Sequence, residues 1–237
     1  MTTAVTSELP NFIGDLDIAA ARKVLESRHS LVTFSCDDEQ KFLDAAHELG
    51  EVLLHRDSDE RGITAIKEIA GEVQVGLTKQ ELLFHTDCPA IPAPPRWIMI
   101  LCRESDGQGG ETFACLGDDV VEHLRQKDPA ALAALTAPEA AIFRTGPDTR
   151  ICPIIELDAD EAAQVRLRFD RHVHFSWDVT RHVDAILTGM RAVSWRFALT
   201  PGMGYIIDNT KWFHGRTAYR GAREASRIHV GPRAENG

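Results

Sequence analysis

The sequence has no long basic run, no run of apolar residues near membrane-spanning length, and no paired cysteine motif. Each absence excludes something. With a formal net charge of -10 and no basic stretch, neither nucleic acid nor an anionic membrane surface is expected as the main partner. A small anionic ligand stays open, because a few local arginines can outweigh the average. The five cysteines, Cys36, Cys88, Cys102, Cys115 and Cys152, are odd in number and contain no C-x-x-C pair. This argues against a disulfide framework or a zinc knuckle and for reduced, mostly buried thiols. No segment reaches the roughly 20 apolar residues of a membrane helix, and Met1–Pro10 lacks the basic-then-apolar order of a secretion signal. The expectation is a cytoplasmic protein acting on a small molecule, with no membrane. There is no internal repeat and no low-complexity linker. The 237 residues read as a single domain, 1–237, with 1–10 as a flexible tail.

Hydrophobic residues make up 43% of the chain, ample for a core. Asp15 or Asp17 is placed to cap a helix reaching about Ser27, with Ala19, Ala20, Val24 and Leu25 inward. Ser30–Ser35 reads as a strand. Asp37 or Asp38 caps a second helix, with Phe42, Leu43, Ala46 and Leu49 at helical spacing and Gly50 as its stop. Glu51–His55 returns as a strand, so the opening reads as an α/β cover laid on something else. From about residue 63 the texture changes to short strands broken by Gly, Pro and Asp: Leu82–Thr86, Trp97–Arg103, Ala140–Arg144, Ile151–Leu157, Val165–Phe169, Gly204–Asp208 and Ser226–Val230. Helices interrupt at about 118–135 and 179–193. The fold class is mostly β with flanking helices, a sandwich or barrel of which the jelly roll is one form.

Ten histidines invite a search for a metal site. On a strand, residues i and i+2 share a face, so a histidine and a carboxylate at that spacing can reach one ion. The pattern H-x-D occurs at His55–Asp57, His85–Asp87 and His182–Asp184. The last lies in a predicted helix, where such side chains diverge by about 200°. The first runs into a charged stretch, DSDERG, and reads as a loop edge. His85–Asp87 closes the apolar strand LLFHTD, where a polar pair needs a reason, and shared coordination supplies one. His214, in GYIIDNTKWFHGR, is the third candidate. Two histidines and one carboxylate with open positions opposite suit a non-haem Fe(II) oxygenase. On ligands alone, zinc fits as well and would make the chain a hydrolase or hydratase.

Three stretches then resemble a known family. LLFHTDCPAIPAPPRWIMILC, GQGGETFACLGDDVVEHL and TPGMGYIIDNTKWFHGRTAYRGAREASRIHV occur in the order and spacing of the Fe(II)/2-oxoglutarate-dependent dioxygenases, in the taurine dioxygenase and clavaminate synthase-like branch. RHSLVTFSCDDEQKFLDAAHELGEVLLH fits the family's opening region more loosely, and 137–195 match poorly. The resemblance implies a double-stranded β-helix core, a jelly-roll variant. It implies Fe(II) on His85, Asp87 and His214, with 2-oxoglutarate and O2 as cosubstrates. It places the far carboxylate of 2-oxoglutarate on Arg227, with Arg223 as second choice, assisted by the Thr112 hydroxyl; a planar two-pronged donor suits a buried carboxylate. Ile228 and Val230 would face away from Arg227 and pack.

The implied reaction hydroxylates an unactivated C–H bond and releases succinate and CO2. The same chemistry can desaturate, epoxidise or close a ring. Asp87 stands where the related halogenases carry a small apolar residue, so halogenation is not expected. Cys88 departs from the small residue usual after H-T-D, and the chain is short for the branch. By resemblance, the substrate is a small polar metabolite, such as an amino acid or a natural product derived from one. Gln80, Arg168, Arg171, His172 and Arg216 are the candidates to bind it. A zinc hydrolase and a catalytically silent jelly-roll binding protein are the two other function classes.

Overall fold

The computed structural model describes residues 9–106 and 108–233. Two sheets face each other. The larger is seven-stranded, in the order Phe12–Asp15, Leu31–Ser35, Met203–Asp208, Trp97–Ser105, Arg223–Gly231 and Glu51–Leu53, with Ile63–Lys67 also paired to Arg223–Gly231. The smaller is four-stranded: Trp195–Phe197, Thr112–Leu116, Trp212–Arg216 and Leu82–His85. Strand alternation sorts side chains to two faces. Ile98, Cys102, Tyr205 and Ile207 of the large sheet meet Ala114, Leu116, Phe197 and Trp212 of the small one in an inner core. This is a jelly roll with helices on its outer faces.

The alternate residues of the large sheet, Val32, Phe34, Met99, Leu101, Ile206, Ile228 and Val230, pack outward on two helices. Ile18–Leu25 is capped by the Asp17 carboxylate, which accepts from the Ala19 and Ala20 amides, and Glu39–Leu49 is capped by Asp38 in the same way. Such caps contribute about 1 kcal/mol each. Phe42, Ala46 and Leu49 are buried as their spacing predicts. The first helix is rotated from expectation. Ile18, Ala21 and Leu25 are buried, while Ala19 is exposed and Val24 half-buried, because Ile18 is the bulkier anchor for the inner stripe. The opening is no separate cover either: Leu31–Ser35 is an interior strand of the large sheet, paired on both sides.

A third core lies between the outer face of the small sheet (Phe84, Phe113, Cys115, Phe213) and the remaining helices. The helix expected over 118–135 is two helices, Gly117–Lys127 and Pro129–Thr136. Pro129 has no N–H to continue the first, and Asp128 takes a non-helical φ of -151° and caps the second. The last helix spans Trp177–Ala192 and carries His182 and Asp184, which rules out that pair as joint ligands. Ile151–Leu157 is likewise broken by Pro153 into Asp148–Cys152 and Ile155–Leu157, and the strand expected over Val165–Phe169 ends at Val165 as Ala163–Val165. These segments form small outlying sheets with Ala141–Thr145 and Val173–Phe175. Most of the expected tail, residues 1–8, lies outside the described residues. Pro10 is held, its carbonyl accepting from the Thr33 hydroxyl at 2.8 Å, and Leu9 packs on the inner core. No helix among the described residues is long and apolar enough to cross a membrane.

Candidate metal centre

Leu82–His85 and Trp212–Arg216 pair antiparallel, with His85 directly opposite His214. Their rings are 4.3 Å apart. Asp87, two residues further on, turns toward both. Ligand atoms of His85, Asp87 and His214 all lie within 4.8 Å of one another. The fold thus gathers the three residues singled out from the sequence, although 129 positions separate His85 from His214.

The backbone at Asp87 is fixed by a buried amide. Asn209 Oδ1 accepts from the Asp87 N–H at 2.7 Å, and its Nδ2 donates to the carbonyls of Asp87 and Pro95 at 3.0 Å each. Arg166 holds the Pro-rich turn that follows, donating to the carbonyls of Pro89, Ile91 and Pro92. These partners lie 74 to 122 positions away, beyond the reach of any local sequence pattern. Asn209 stood within a motif already noticed, but without a role.

The electrostatics suit a cation. Burial alone would raise the Asp87 carboxyl, but the Arg227 charge and a hydrogen bond from His229 hold it well below the usual carboxylate range. Arg227 Nη1 donates to Asp87 Oδ2 at 3.1 Å, and His229 Nε2 lies 2.8 Å from the same oxygen. Burial lowers the His85 imidazole. Burial, then the neighbouring His85 ring, lowers His214 to about 3. Both rings are neutral at pH 7, as metal ligands must be. His85 Nδ1 donates to the Leu83 carbonyl at 3.0 Å, since a carbonyl can only accept. Its Nε2 lone pair is then free, 3.7 Å from Asp87 Oδ1. Three nitrogens around the site, His214 Nδ1, Arg168 Nε and Arg227 Nε, are buried with no hydrogen-bond partner among the described residues. Buried polar atoms are ordinarily paired. An ionised carboxylate, two neutral imidazoles and these orphaned donors fit a divalent metal with an anionic companion.

The two arginines on Arg223–Gly231 occupy different places. Ile98, Ile100 and Cys102 face the inner core, and they pair with His229, Arg227 and Ala225. Arg227 therefore faces inward, and Ile228 and Val230 pack outward as expected. Arg227 stands at the donor trio. Arg223, four residues back and past a pairing irregularity between Glu224 and Ala225, lies beside the Gly109–Gly110 turn. Both glycines have positive φ, 81° and 75°; a Cβ on Gly109 would collide with the Ala218 carbonyl, and one on Gly110 would come within 3.0 Å of the Arg223 Cδ. This explains the glycine pair ahead of Thr112. Thr112 is buried and pairs with Arg216 on the neighbouring strand. Burial, with the Asp87 charge behind it, raises the Tyr205 phenol, which feels the fields of both Arg223 and Arg227.

The remaining candidates are not gathered at one place. Thr86 and Leu167 exchange a ladder, the Thr86 N–H donating to the Leu167 carbonyl at 2.8 Å and the Leu167 N–H to the Thr86 hydroxyl at 3.1 Å. Both face the core. With Arg166 reaching 89–92, Arg168 falls on the His85 side. Its guanidinium bonds the Thr145 hydroxyl at 3.2 Å and pairs with Asp170. Arg171 is exposed and its Nε lies 3.3 Å from His172 Nε2. Gln80 is exposed too. Arg216 is buried, donates to the Thr78 and Thr217 carbonyls and lies over the Tyr219 ring at 4.6 Å. Burial pushes it down to about 10. His55, of the rejected H-x-D pair, lies edge-on to His229 at 5.3 Å.

Two facing sheets with this trio between them define a class: a jelly-roll protein with a two-histidine, one-carboxylate centre. A family model described as Taurine catabolism dioxygenase TauD, TfdA family matches residues 6–230. The chain belongs to that family. Gamma-butyrobetaine dioxygenase from Homo sapiens is 29% identical over 182 residues, 68% of this chain and 46% of that protein; the protein of that name from Pongo abelii matches equally. The chain thus corresponds to less than half the length of these relatives. Among solved structures, asparagine oxygenase in complex with Fe(II), 3-hydroxyasparagine and succinate superposes with a TM-score of 0.72 at 17% identity, covering 90% of this chain and 83% of that one. The non-haem iron oxygenase OrfP, with Fe and alpha-ketoglutaric acid, gives 0.69 at 16%, covering 89% and 78%. PvcB from Pseudomonas aeruginosa gives 0.67 at 19%, covering 93% and 82%. At these identities the structural likeness speaks for the fold.

Proposed function

We propose that this chain is an Fe(II)- and 2-oxoglutarate-dependent oxygenase that hydroxylates an unactivated C–H bond of an amino acid or an amino-acid-derived metabolite. The observation that carries the reading is the trio of His85, Asp87 and His214, within 4.8 Å of one another, with Arg227 and Arg223 on a strand of the facing sheet. Bound Fe(II) would supply oxygen activation, coupled to oxidative decarboxylation of 2-oxoglutarate to succinate and CO2. The chain's part is to hold, orient and keep water out.

We assign the two arginines in the order opposite to the sequence expectation. Arg227 donates to Asp87, which places it beside the metal donors, where it suits the carboxylate nearer the iron. The far carboxylate falls to Arg223, which faces the Gly109–Gly110 turn leading to Thr112. A diacid of five carbons would lie between them along the inner face, past Tyr205. Substrate would approach from the side of Arg168, whose orphaned Nε is a donor for a carboxylate. The amino-acid class is supported by the similar folds of an asparagine oxygenase and of OrfP bound to hydroxylated arginine.

The test is anaerobic addition of Fe(II) and 2-oxoglutarate. The reading expects a weak visible charge-transfer band that needs both, and succinate release stimulated by one or more members of a panel of amino acids and derivatives. Activity restored by zinc alone, without that band, would sink it.

A further inference from the structure

We infer that His229 is a positioning residue that, together with Arg227, fixes Asp87 as a one-oxygen metal donor. The inference rests on the metal reading above and goes beyond it, since it concerns how one ligand is aimed. His229 and Arg227 are two apart on one strand and face inward together. Both donate to a single atom: Arg227 Nη1 lies 3.1 Å and His229 Nε2 2.8 Å from Asp87 Oδ2. Asp87 Oδ1 instead faces His85 Nε2 at 3.7 Å. The carboxylate is loaded on one side only.

Chemistry assigns the proton. An ionised carboxylate accepts and cannot donate, so His229 Nε2 carries the hydrogen. Arg227 by itself already balances the Asp87 charge. A second donor on the same oxygen adds direction: it occupies the lone pairs of Oδ2 and leaves those of Oδ1 for the ion. A bidentate grip on the metal would need Oδ2 to break both bonds. The ring of His229 is itself held. Its strand is paired on both sides, with Leu53 opposite His229 on one and Ile98 on the other, and the His55 ring packs edge-on at 5.3 Å and 84°. The Asn209 side chain fixes the Asp87 backbone from the other end. The carboxylate is thereby clamped between two unrelated parts of the chain, as outer partners of metal ligands commonly are.

The experiment is an anaerobic Co(II) titration, followed by visible absorption, on the full chain, His85→Ala, His229→Leu and His229→Gln. Wild type should bind saturably and His85→Ala should not. His229→Leu should bind about ten- to a hundredfold more weakly, with a shifted band. His229→Gln keeps an N–H donor for Oδ2 and should recover most of the affinity and the wild-type band. A His229→Leu chain with wild-type affinity and an unchanged band would overturn the inference while leaving the metal reading intact. A wild type without saturable binding, or one matched by His85→Ala, would overturn the metal reading and the inference with it. A measurement on the unmutated chain covers the case in which His229→Leu does not fold. The Nε2-bound proton of His229 should be visible by NMR without metal and should move far outside the diamagnetic range with Co(II). A proton that Co(II) leaves in place refutes the role.

Discussion

Two segments, 85–92 and 166–175, lie side by side, and they are built differently. In the first, nearly every polar group is committed to a distant partner: Asp87 to Asn209, Arg227 and His229, and the turn carbonyls to Arg166. In the second, the pairing lapses after Leu167 and resumes only at Val173–Phe175, which pairs with Ala141–Thr145. Arg168 leans on its near neighbour Asp170, Arg171 lies beside His172, and Asp170, Arg171 and His174 are exposed. Trp177, just beyond, is 76% exposed. A site that must hold one geometry for chemistry needs the first kind of construction. A surface that admits and releases different molecules needs only the second.

That contrast can be broken from the rigid side first. Removing a donor, His214→Ala, should abolish both Co(II) binding and succinate release, with the fold retained by circular dichroism. Asn209→Ala should come next. It leaves the N–H and carbonyl of Asp87 and the Pro95 carbonyl unpaired in a buried place, at roughly 1–3 kcal/mol each before relaxation. A net loss of about 2–4 kcal/mol in urea unfolding is expected. A loss below about 0.5 kcal/mol, the range of ordinary surface changes, would mean that this clamp is not structural.

The third test sharpens the division of labour along one strand. Arg223→Ala should raise the half-saturating 2-oxoglutarate concentration by about tenfold or more, since hydrogen bonds to a charged group contribute roughly 1.5–3 kcal/mol. It should leave Co(II) affinity alone. Arg227→Ala should weaken both. Equal effects of the two substitutions on Co(II) would refute the split. Smallest of all should be Arg171→Ala on the open side, with stability within about 0.5 kcal/mol of wild type and substrate-free binding of 2-oxoglutarate unchanged.

The repeating part of the structure was legible in the sequence. Alternation foretold that Arg227 and Ile228 would face opposite ways, and helical spacing found Phe42, Ala46 and Leu49. His85, Asp87 and His214 were legible because a polar pair at the end of an apolar strand is anomalous. His229 was not, although it sits two residues from Arg227 on the same face in RIHV. A lone histidine among apolar residues looks like core, and its partner Asp87 is 142 positions away. Trp212–Arg216 and Thr112–Leu116 escaped as strands because all their residues are buried, which erases the polar–apolar alternation that marks a half-exposed strand. The order of Arg227 and Arg223 along the cosubstrate is not legible in the sequence for a related reason. Strand period says that both face inward, but not which end meets the metal.

Arg223–Gly231 has neighbours along both edges, Trp97–Ser105 on one side and Ile63–Lys67 then Glu51–Leu53 on the other. Amides bonded in the middle of a sheet open to solvent only when much of the domain opens. The backbone under Arg227 and His229 should therefore exchange its hydrogens among the slowest in the molecule, and the unpaired 168–171 stretch among the fastest. The outlying loops could then be exchanged for those of a relative while the floor beneath the metal keeps its shape, so that new substrates are reached by grafting the rim alone.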